Sequence, residues 1–239
     1  MNQNNNTKIN IIMFVSIAIL LIGLIIVLAI TKDEKPSKGT ENLLNINYEI
    51  EGNEMNLEQY NTTNPVVAMH IEDYGTIVIE LYPEVAENTV NNFISLVKSG
   101  FYDNNTFHRL MPGFVLQGGD PDGQGTGGPG YHIKGEFTAN GYKNDLKHEE
   151  KIVSMARAKD NDSAGSQFFI MLGEASYLDG NYAAFGKVID GWENIERIVA
   201  MERVANVETG KLATNLTIKK AIVDLKGKTY PEVKKINQN

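Results

Sequence analysis

The 239-residue sequence contains no cysteine, which excludes disulfides, thiol nucleophiles and cysteine-ligated metals. It is also poor in histidine, and its four histidines are scattered without the spacing of metal ligands, so neither a metal nor another cofactor is expected. Lys and Arg number 22 against 30 Asp and Glu, which gives a formal net charge of -8, and the basic residues do not cluster. A nucleic-acid partner is not expected, because phosphate binding requires clustered positive charge.

The sequence also lacks the common motifs of nucleotide-binding proteins and serine hydrolases. No Walker or GxSxG sequence is present. Gly123, Gly125 and Gly128 satisfy GxGxxG after a predicted strand, but Pro129-Gly130 follows where a helix would have to begin. A dinucleotide site is therefore not predicted.

One long hydrophobic run is present, at residues 11–30, after a short polar tail at residues 1–10. A helix of that length is roughly 30 Å long, the thickness of the hydrocarbon core of a bilayer. We predict an uncleaved transmembrane anchor. The alternative is a cleavable signal peptide, whose apolar region would be about 7 to 15 residues and would end in small residues.

By the positive-inside rule, the flanking lysines do not favour an inside amino terminus. Lys8 precedes the run, whereas Lys32, Lys35 and Lys38 follow it. Long globular domains translocate largely regardless of such counts. We therefore expect the domain on the extracytoplasmic side of the cell membrane.

The rest of the chain divides into three parts. Residues 31–63 have no sustained apolar period and are predicted to be a linker, although residues 43–50 could form a short strand covering an edge of the domain. Residues 64–227 have the pattern of a globular domain, which we expect to be monomeric and soluble. Residues 228–239 are predicted to be a polar tail.

The domain pattern predicts many short strands and two helices. One helix is indicated by apolar residues at helical spacing before Gly100, namely Val90, Phe93, Ile94 and Val97. The other is predicted at residues 192–200. Strand-like runs cover residues 66–71, 76–81, 107–117, 152–156, 167–172 and 216–225, with a glycine-rich loop at 118–130 and a further stretch at 180–188. This pattern favours a mainly β fold, a closed antiparallel barrel.

The segment FHRLMPGFVLQGGD at residues 107–120 places an arginine, aromatic rings and an amide close together. Strict alternation puts Phe107, Arg109, Met111, Gly113 and Val115 on one side of a strand. It puts His108, Leu110, Phe114 and Leu116 on the other, although Pro112-Gly113 must reset the register. Alternation alone leaves open whether Arg109 and Phe114 share a pocket.

This segment resembles the signature of the cyclophilins, the peptidyl-prolyl isomerases of the cyclosporin-binding type. Three later blocks resemble that family in the same order: IVSMARA at 152–158, GSQFFI at 165–170, and LDG at 178–180 with FGKV at 185–188. The resemblance implies an eight-stranded antiparallel β-barrel capped by an α-helix at each end, here preceded by the single transmembrane helix.

The resemblance also implies roles for individual residues. Arg109 would be the catalytic donor, Gln117 would brace the arginine and the substrate backbone, and Phe114 would contact the proline. The implied proline pocket is completed by Val115, Phe169 and Leu178, with Met155 behind it. Ala156 and Arg157 would hold the main chain of the peptide, more through their backbone than through the Arg157 side chain. A second pocket, for residues upstream of the proline, would involve Thr126, Glu136 and Ala158.

Two positions depart from the best-known family members and resemble its bacterial branch, as does Arg157. Tyr177 stands where those members carry tryptophan, and Tyr182 stands where they carry histidine. The Tyr182 hydroxyl can still donate a hydrogen bond to a substrate carbonyl. The loss of the indole at residue 177 leads us to expect weak inhibition by cyclosporin.

The chemistry fits these residue types. An X-Pro bond resists rotation by roughly 18 to 20 kcal/mol because of amide resonance. A catalyst therefore needs a dry pocket for the proline ring and a hydrogen-bond donor that favours a pyramidal nitrogen. Arginine suits this role because it is always protonated.

We expect an isomerase acting on proline-containing segments of unfolded or exported polypeptides. The rival hypotheses are a proline-peptide binding or chaperone module without turnover, and a scaffold whose function resides in the anchor.

Overall fold

The computed structural model describes residues 48–50 and 53–237 of the chain. The predicted polar tail at residues 1–10 and the predicted anchor at residues 11–30 lie outside these residues. Within the described ranges, no helix is long and apolar enough to cross a bilayer.

The elements follow one another as short strands interrupted by two α-helices. In chain order they are β1 (Tyr48–Ile50), β2 (Asn53–Met55), β3 (Val66–Ile71), β4 (Gly75–Leu81), α1 (Glu87–Lys98), β5 (Asn105–Met111), β6 (Val115–Asp120), β7 (Tyr131–Ile133), β8 (Ile152–Met155), β9 (Phe168–Met171), β10 (Ala184–Asp190), α2 (Trp192–Met201), β11 (Val204–Asn206), β12 (Lys211–Asp224) and β13 (Lys235–Asn237). Short 3-10 turns occupy Leu57–Gln59, Thr138–Asn140 and Ser176–Leu178.

Eight of these strands form a closed antiparallel ring. The order around the ring is β12, β3, β4, β10, β8, β9, β6 and β5, and β5 pairs back onto β12. The short strand β11 pairs with the beginning of β12. The predicted closed antiparallel barrel with two helices is confirmed.

The barrel interior is filled by apolar side chains from the strands and from both helices. In α1, Phe93 is fully buried, and its ring centroid lies 5.0 to 5.3 Å from those of Tyr102, Phe168 and Phe185. Such tilted and edge-on ring pairs stabilise a core beyond the area that they bury. The helical spacing predicted for α1 is confirmed, since Val90, Phe93, Ile94 and Val97 are all buried.

The structure corrects the single strand predicted at residues 107–117, which is a hairpin of β5 and β6. The turn between them is closed by a hydrogen bond from Phe114 N to Met111 O at 2.9 Å, with Gly113 at a φ of 72°. The predicted glycine loop also begins later, because Gly118 and Gly119 belong to β6. A Cβ at residue 119 would lie 2.4 Å from the carbonyl oxygen of Ser166, so the barrel wall requires glycine there.

The polar tail predicted at residues 228–239 is also corrected, because β13 pairs with β7 in a separate two-stranded sheet. Asn88 in α1 fixes this segment through two hydrogen bonds to the backbone of Lys234, at 2.8 and 3.0 Å. Residues 228–237 are polar in composition but folded, because backbone pairing requires no apolar pattern and because Tyr230 and Val233 pack against the interior cluster.

Residues 55–64, which we call the N-terminal strap, pack on the outer face of the barrel. Leu57 is buried there against residues of β3, β4 and β12, namely Val66, Ala68, Val78 and Ile222. Lys226 donates a hydrogen bond from Nζ to the carbonyl oxygen of Leu57 at 2.7 Å. The packed region therefore begins before residue 64, inside the range predicted as linker. In the described residues, β1 pairs with β2 and not with the barrel.

Candidate active site

A β-bulge decides which way Arg109 points. Phe107 pairs with Gly118 and Arg109 pairs with Gln117, so His108 is an extra residue in β5. A bulge of this kind changes the side to which the following side chains point. Phe107 is accordingly buried in the barrel interior, whereas Arg109 is only partly buried. The prediction from strict alternation, which placed Phe107 and Arg109 on the same side of the strand, is wrong.

The guanidinium of Arg109 is held by three uncharged acceptors. Nη1 donates to Oε1 of Gln117 at 3.1 Å, Nε donates to the carbonyl oxygen of Thr209 at 2.9 Å, and Nη2 donates to Sδ of Met111 at 2.6 Å. Its Cζ lies 5.8 Å from the centroid of the Phe114 ring. Burial lowers the pKa of Arg109 from its ordinary value, yet an arginine remains protonated in proteins.

An apolar cluster lies beside this arginine, on the faces of β6, β8 and β9 that point away from the barrel interior. Its buried members are Val115, Ile152, Phe169, Met171, Ala175, Leu178 and Ala184, and its partly buried members are Met111, Phe114, Leu146, Ala156 and Tyr182. The ring of Phe169 meets that of Tyr182 edge-on at 5.9 Å. Arg109 and the cluster together place a fixed cation next to an apolar surface.

Gln117 connects the arginine to the glycine-rich loop. Its Nε2 donates to Oε1 of Gln167 at 3.0 Å, and Nε2 of Gln167 donates to the carbonyl oxygen of Gly127 at 3.0 Å. With its own Oε1 accepting from Arg109, Gln117 is held at both ends of its amide. Gln167 was not predicted as a site residue, although it lies in the GSQFFI block.

Residues 66–223 match the family model of the cyclophilin type peptidyl-prolyl cis-trans isomerases. The chain belongs to this family. Peptidyl-prolyl cis-trans isomerase B of Bacillus subtilis is 51% identical over 123 residues, which cover 52% of this chain and 82% of that protein. A peptidyl-prolyl cis-trans isomerase of Helicobacter pylori is 46% identical over 114 residues, 48% of this chain and 67% of that protein.

A solved structure agrees with these relatives. The crystal structure of a Cryptosporidium parvum cyclophilin type isomerase in the presence of the dipeptide Ala-Pro matches with a TM-score of 0.59 and 32% identity, over 66% of this chain and 98% of that one. The family predicted from the motif blocks is confirmed, and this cyclophilin is a peptidyl-prolyl cis-trans isomerase.

Most predicted site residues of this cyclophilin come together in the structure. Those that meet in or beside the apolar cluster are Arg109, Phe114, Val115, Gln117, Ala156, Phe169, Leu178 and Tyr182. Tyr177 flanks the cluster, with its ring 6.1 Å from that of Phe114 and 68% of the residue exposed. Met155 differs, because it is buried with the interior cluster of the barrel. The specific roles of all these residues stay predictions.

The three residues of the predicted second pocket lie in different surroundings, and the pocket itself stays a prediction. Glu136 is buried, and its carboxylate accepts hydrogen bonds from the backbone of Asn88 and Thr89 and from the Thr89 hydroxyl, at 2.7 to 3.0 Å. A carboxylate at a helix N-terminus satisfies free N–H groups and favours the helix dipole. Glu136 therefore caps α1 and is not presented to a ligand. Thr126 and Ala158 are exposed on separate loops.

The Arg157 side chain is used inside the protein. Its Cζ lies 5.2 Å from the Phe137 ring centroid and 4.7 Å from that of Tyr182. Its nitrogens donate to the carbonyl oxygens of Asn181, Ala158 and Lys159, at 3.0 to 3.3 Å. The roles of Ala156 and Arg157 toward a peptide main chain stay predictions.

The glycine-rich loop is folded around the buried carboxylate of Asp120. Asp120 accepts hydrogen bonds from the backbone N–H groups of residues 122, 124, 125 and 126. Burial alone would raise the pKa of Asp120, but the backbone donors outweigh that effect and lower it. The GxGxxG spacing thus belongs to a loop that surrounds an anion of its own chain.

A buried polar chain that the sequence did not predict lies behind the cluster. His148 Nδ1 is 3.1 Å from Oδ1 of Asp179, and His148 Nε2 is 3.0 Å from the Ser154 hydroxyl. The His148 ring is stacked on Phe169 at a centroid distance of 6.1 Å. Ser154 and His148 are at most 1% exposed, so this trio does not present a nucleophile to solvent. Through the stacking of His148 on Phe169, these three residues support the apolar cluster from its buried side.

Proposed function

We propose that this cyclophilin isomerises X-Pro bonds in unfolded or exported polypeptides, with Arg109 as the catalytic donor and without a covalent intermediate. The observation that carries the proposal is the pairing of the Arg109 guanidinium with the apolar cluster around Phe114 and Phe169. None of the hydrogen bonds described above for that guanidinium is made to a carboxylate. Its charge therefore remains available to a bound peptide.

The mechanism follows from the bond that must rotate. In the planar amide, the prolyl nitrogen lone pair is delocalised into the carbonyl, and this resonance creates the barrier. As the bond twists, the lone pair localises on a pyramidal nitrogen and becomes a better acceptor. An N–H of Arg109 placed at that nitrogen stabilises the twisted state more than the planar one, which is the requirement for catalysis.

The apolar cluster supplies the second part of the mechanism. We propose that the proline ring sits against Phe114, Val115, Phe169 and Leu178. The backbone of Ala156 would hold the peptide main chain, and the Tyr182 hydroxyl would donate to a substrate carbonyl. The Ala-Pro dipeptide in the related Cryptosporidium structure supports a proline-containing ligand. Excluding water there strengthens the electrostatic contribution of the arginine.

The test is a protease-coupled assay with a proline-containing peptide. We expect Arg109→Ala to lower kcat/KM by ~100-fold, since removing one preorganised donor has about that effect, while peptide binding is largely retained. Arg197→Ala is a matched control, because Arg197 also donates to a backbone carbonyl and lies over a ring, that of Tyr74. Equal and negligible rates for the wild-type protein and Arg109→Ala would instead favour a binding module.

We propose further that residues 11–30 anchor the protein in the cell membrane, with the isomerase domain on the extracytoplasmic side. The support is the length and apolar character of that run. The protein should remain in the membrane fraction after alkaline washing, and its intact chain should retain residues 1–30. Protease added to intact cells should digest the domain. Resistance to digestion until the cells are broken would contradict the proposed side of the membrane.

A further inference from the structure

We infer that the turn at residues 206–210, between β11 and β12, is a positioning element for Arg109 and that Asn206 is its key residue. The inference rests on the proposed role of Arg109. It starts from the hydrogen bond of 2.9 Å from Nε of Arg109 to the carbonyl oxygen of Thr209, a residue 100 positions further along the chain.

Asn206 fixes the shape of this turn from both of its oxygens. Its side-chain Oδ1 accepts from the backbone N–H groups of Glu208 at 2.9 Å and Thr209 at 3.0 Å. Its carbonyl oxygen accepts from Gly210 N at 2.8 Å. The Gly210 N–H and the Thr209 carbonyl belong to one planar trans peptide and point in opposite directions. Fixing that N–H toward Asn206 therefore aims the Thr209 carbonyl away from Asn206 and toward the arginine.

The turn is also pressed against the strand that carries the arginine. Leu110 N donates to the carbonyl oxygen of Gly210 at 2.8 Å. Gly210 is buried at a φ of 74°, and a Cβ there would lie 2.6 Å from Cγ of Met111 and 2.9 Å from the carbonyl oxygen of Leu110. Backbone contact this close leaves the turn little freedom to move relative to Arg109.

The consequence is that the guanidinium is fixed at two ends. Thr209 holds Nε, and Gln117 holds Nη1 at 3.1 Å. A bond at Nη1 alone leaves the planar group free to pivot about that contact, and the second bond at Nε removes the pivot. The transition state depends on the direction of the N–H groups, so the turn acts on turnover and not on binding of the peptide.

The experiment compares Asn206→Ala and Asn206→Asp in the full chain, with the proline-peptide assay and the NMR signal of the Arg109 Nε–H. We expect Asn206→Ala to lower kcat by ~10-fold or more, with KM unchanged and the Nε–H exchanging faster with solvent. Asn206→Asp keeps both oxygen acceptors and should restore kcat and slow exchange. Because Asn206 is exposed, the substitution leaves the core untouched.

Asn56→Ala is the matched control, because Asn56 Oδ1 makes the same bond to Glu58 N at 2.9 Å in the strap, outside the site. It should leave kcat and the Nε–H signal unchanged. Arg109→Ala, measured in parallel, separates the two claims. If Arg109→Ala keeps the wild-type rate, the proposed function fails. If Arg109→Ala loses the rate but Asn206→Ala keeps kcat, or loses activity only through KM, the positioning role alone is overturned.

Discussion

His148 is a buried titratable residue that stacks on Phe169 of the apolar cluster. A neutral imidazole satisfies both neighbours, because Nδ1–H donates to Asp179 and Nε2 accepts from the Ser154 hydroxyl. Protonation would add a proton at Nε2. The Ser154 hydroxyl could then accept a hydrogen bond from Nε2–H instead of donating one, but it carries no negative charge to balance the imidazolium. Burial is the larger effect and lowers the pKa of His148 below its ordinary value of 6.5, although Asp179 acts in the opposite direction. Burial likewise lowers the pKa of His108.

We therefore predict that the free energy of unfolding falls as the pH is lowered below about 6.5. An unfolded histidine takes up a proton there, whereas the buried residue resists until lower pH, so the unfolded state binds more protons. The stabilisation is complete above the unfolded pKa and declines between the unfolded and the folded pKa. Urea unfolding between pH 8 and pH 5 measures the slope, and His148→Gln should reduce it. A stability that does not change across this range would contradict the prediction.

For individual residues, the motif blocks predicted which side chains come together across the hairpin and the neighbouring strands. Arg109, Gln117, Phe114 and Phe169 were all assigned correctly to one region. The blocks could not indicate His148, Ser154 and Asp179 as a chain, because their partners lie on separate segments and histidine spacing alone carries no signal. The blocks likewise could not indicate the helix-capping bonds of Glu136, because only the packing shows them.

The N-terminal strap is the element whose contribution to stability is easiest to measure. Leu57 is 6% exposed against the outer face of the barrel. We predict that Leu57→Ala lowers the free energy of unfolding by about 2 kcal/mol, at the low end for a buried leucine because the cluster is small. Urea unfolding provides the value. Isomerase activity of the folded variant should be unchanged, since the strap contributes no residue to the apolar cluster.

Val207→Ala is the control for this prediction, because Val207 is 82% exposed. Its effect should stay within about 0.5 kcal/mol. A loss for Leu57→Ala no larger than for Val207→Ala would mean that the strap does not stabilise the domain.

At the scale of elements, apolar periodicity predicted the two helices and the strands β3, β4 and β12, because each buries a regular face. It failed at β5, where one extra residue at His108 reverses the side of every following residue. It also failed for the strap and for β13. These segments are held by a few irregularly spaced apolar side chains, by polar side chains and by backbone pairing, so they have no repeating apolar signal.

For the whole molecule, we predict that the chain without residues 1–52 retains the kcat/KM of the full-length protein. Every residue described as holding Arg109 or forming the apolar cluster lies between residues 109 and 210. A second chain that begins at residue 65 should have the same activity at low temperature but a lower melting temperature, because it lacks the strap. Thermal unfolding and the peptide assay measure both quantities. Equal melting temperatures of the two chains would contradict this.

Closure of the barrel depends on its last long strand. β12 lies between β3 and β5, so the ring is complete only once residues 211–224 exist. While the chain is being made on the ribosome, the strand that carries Arg109 has an unpaired edge until residues 211–224 have been made. Such an edge can pair with other nascent chains. This isomerase is thus exposed to misassembly until its own β12 emerges.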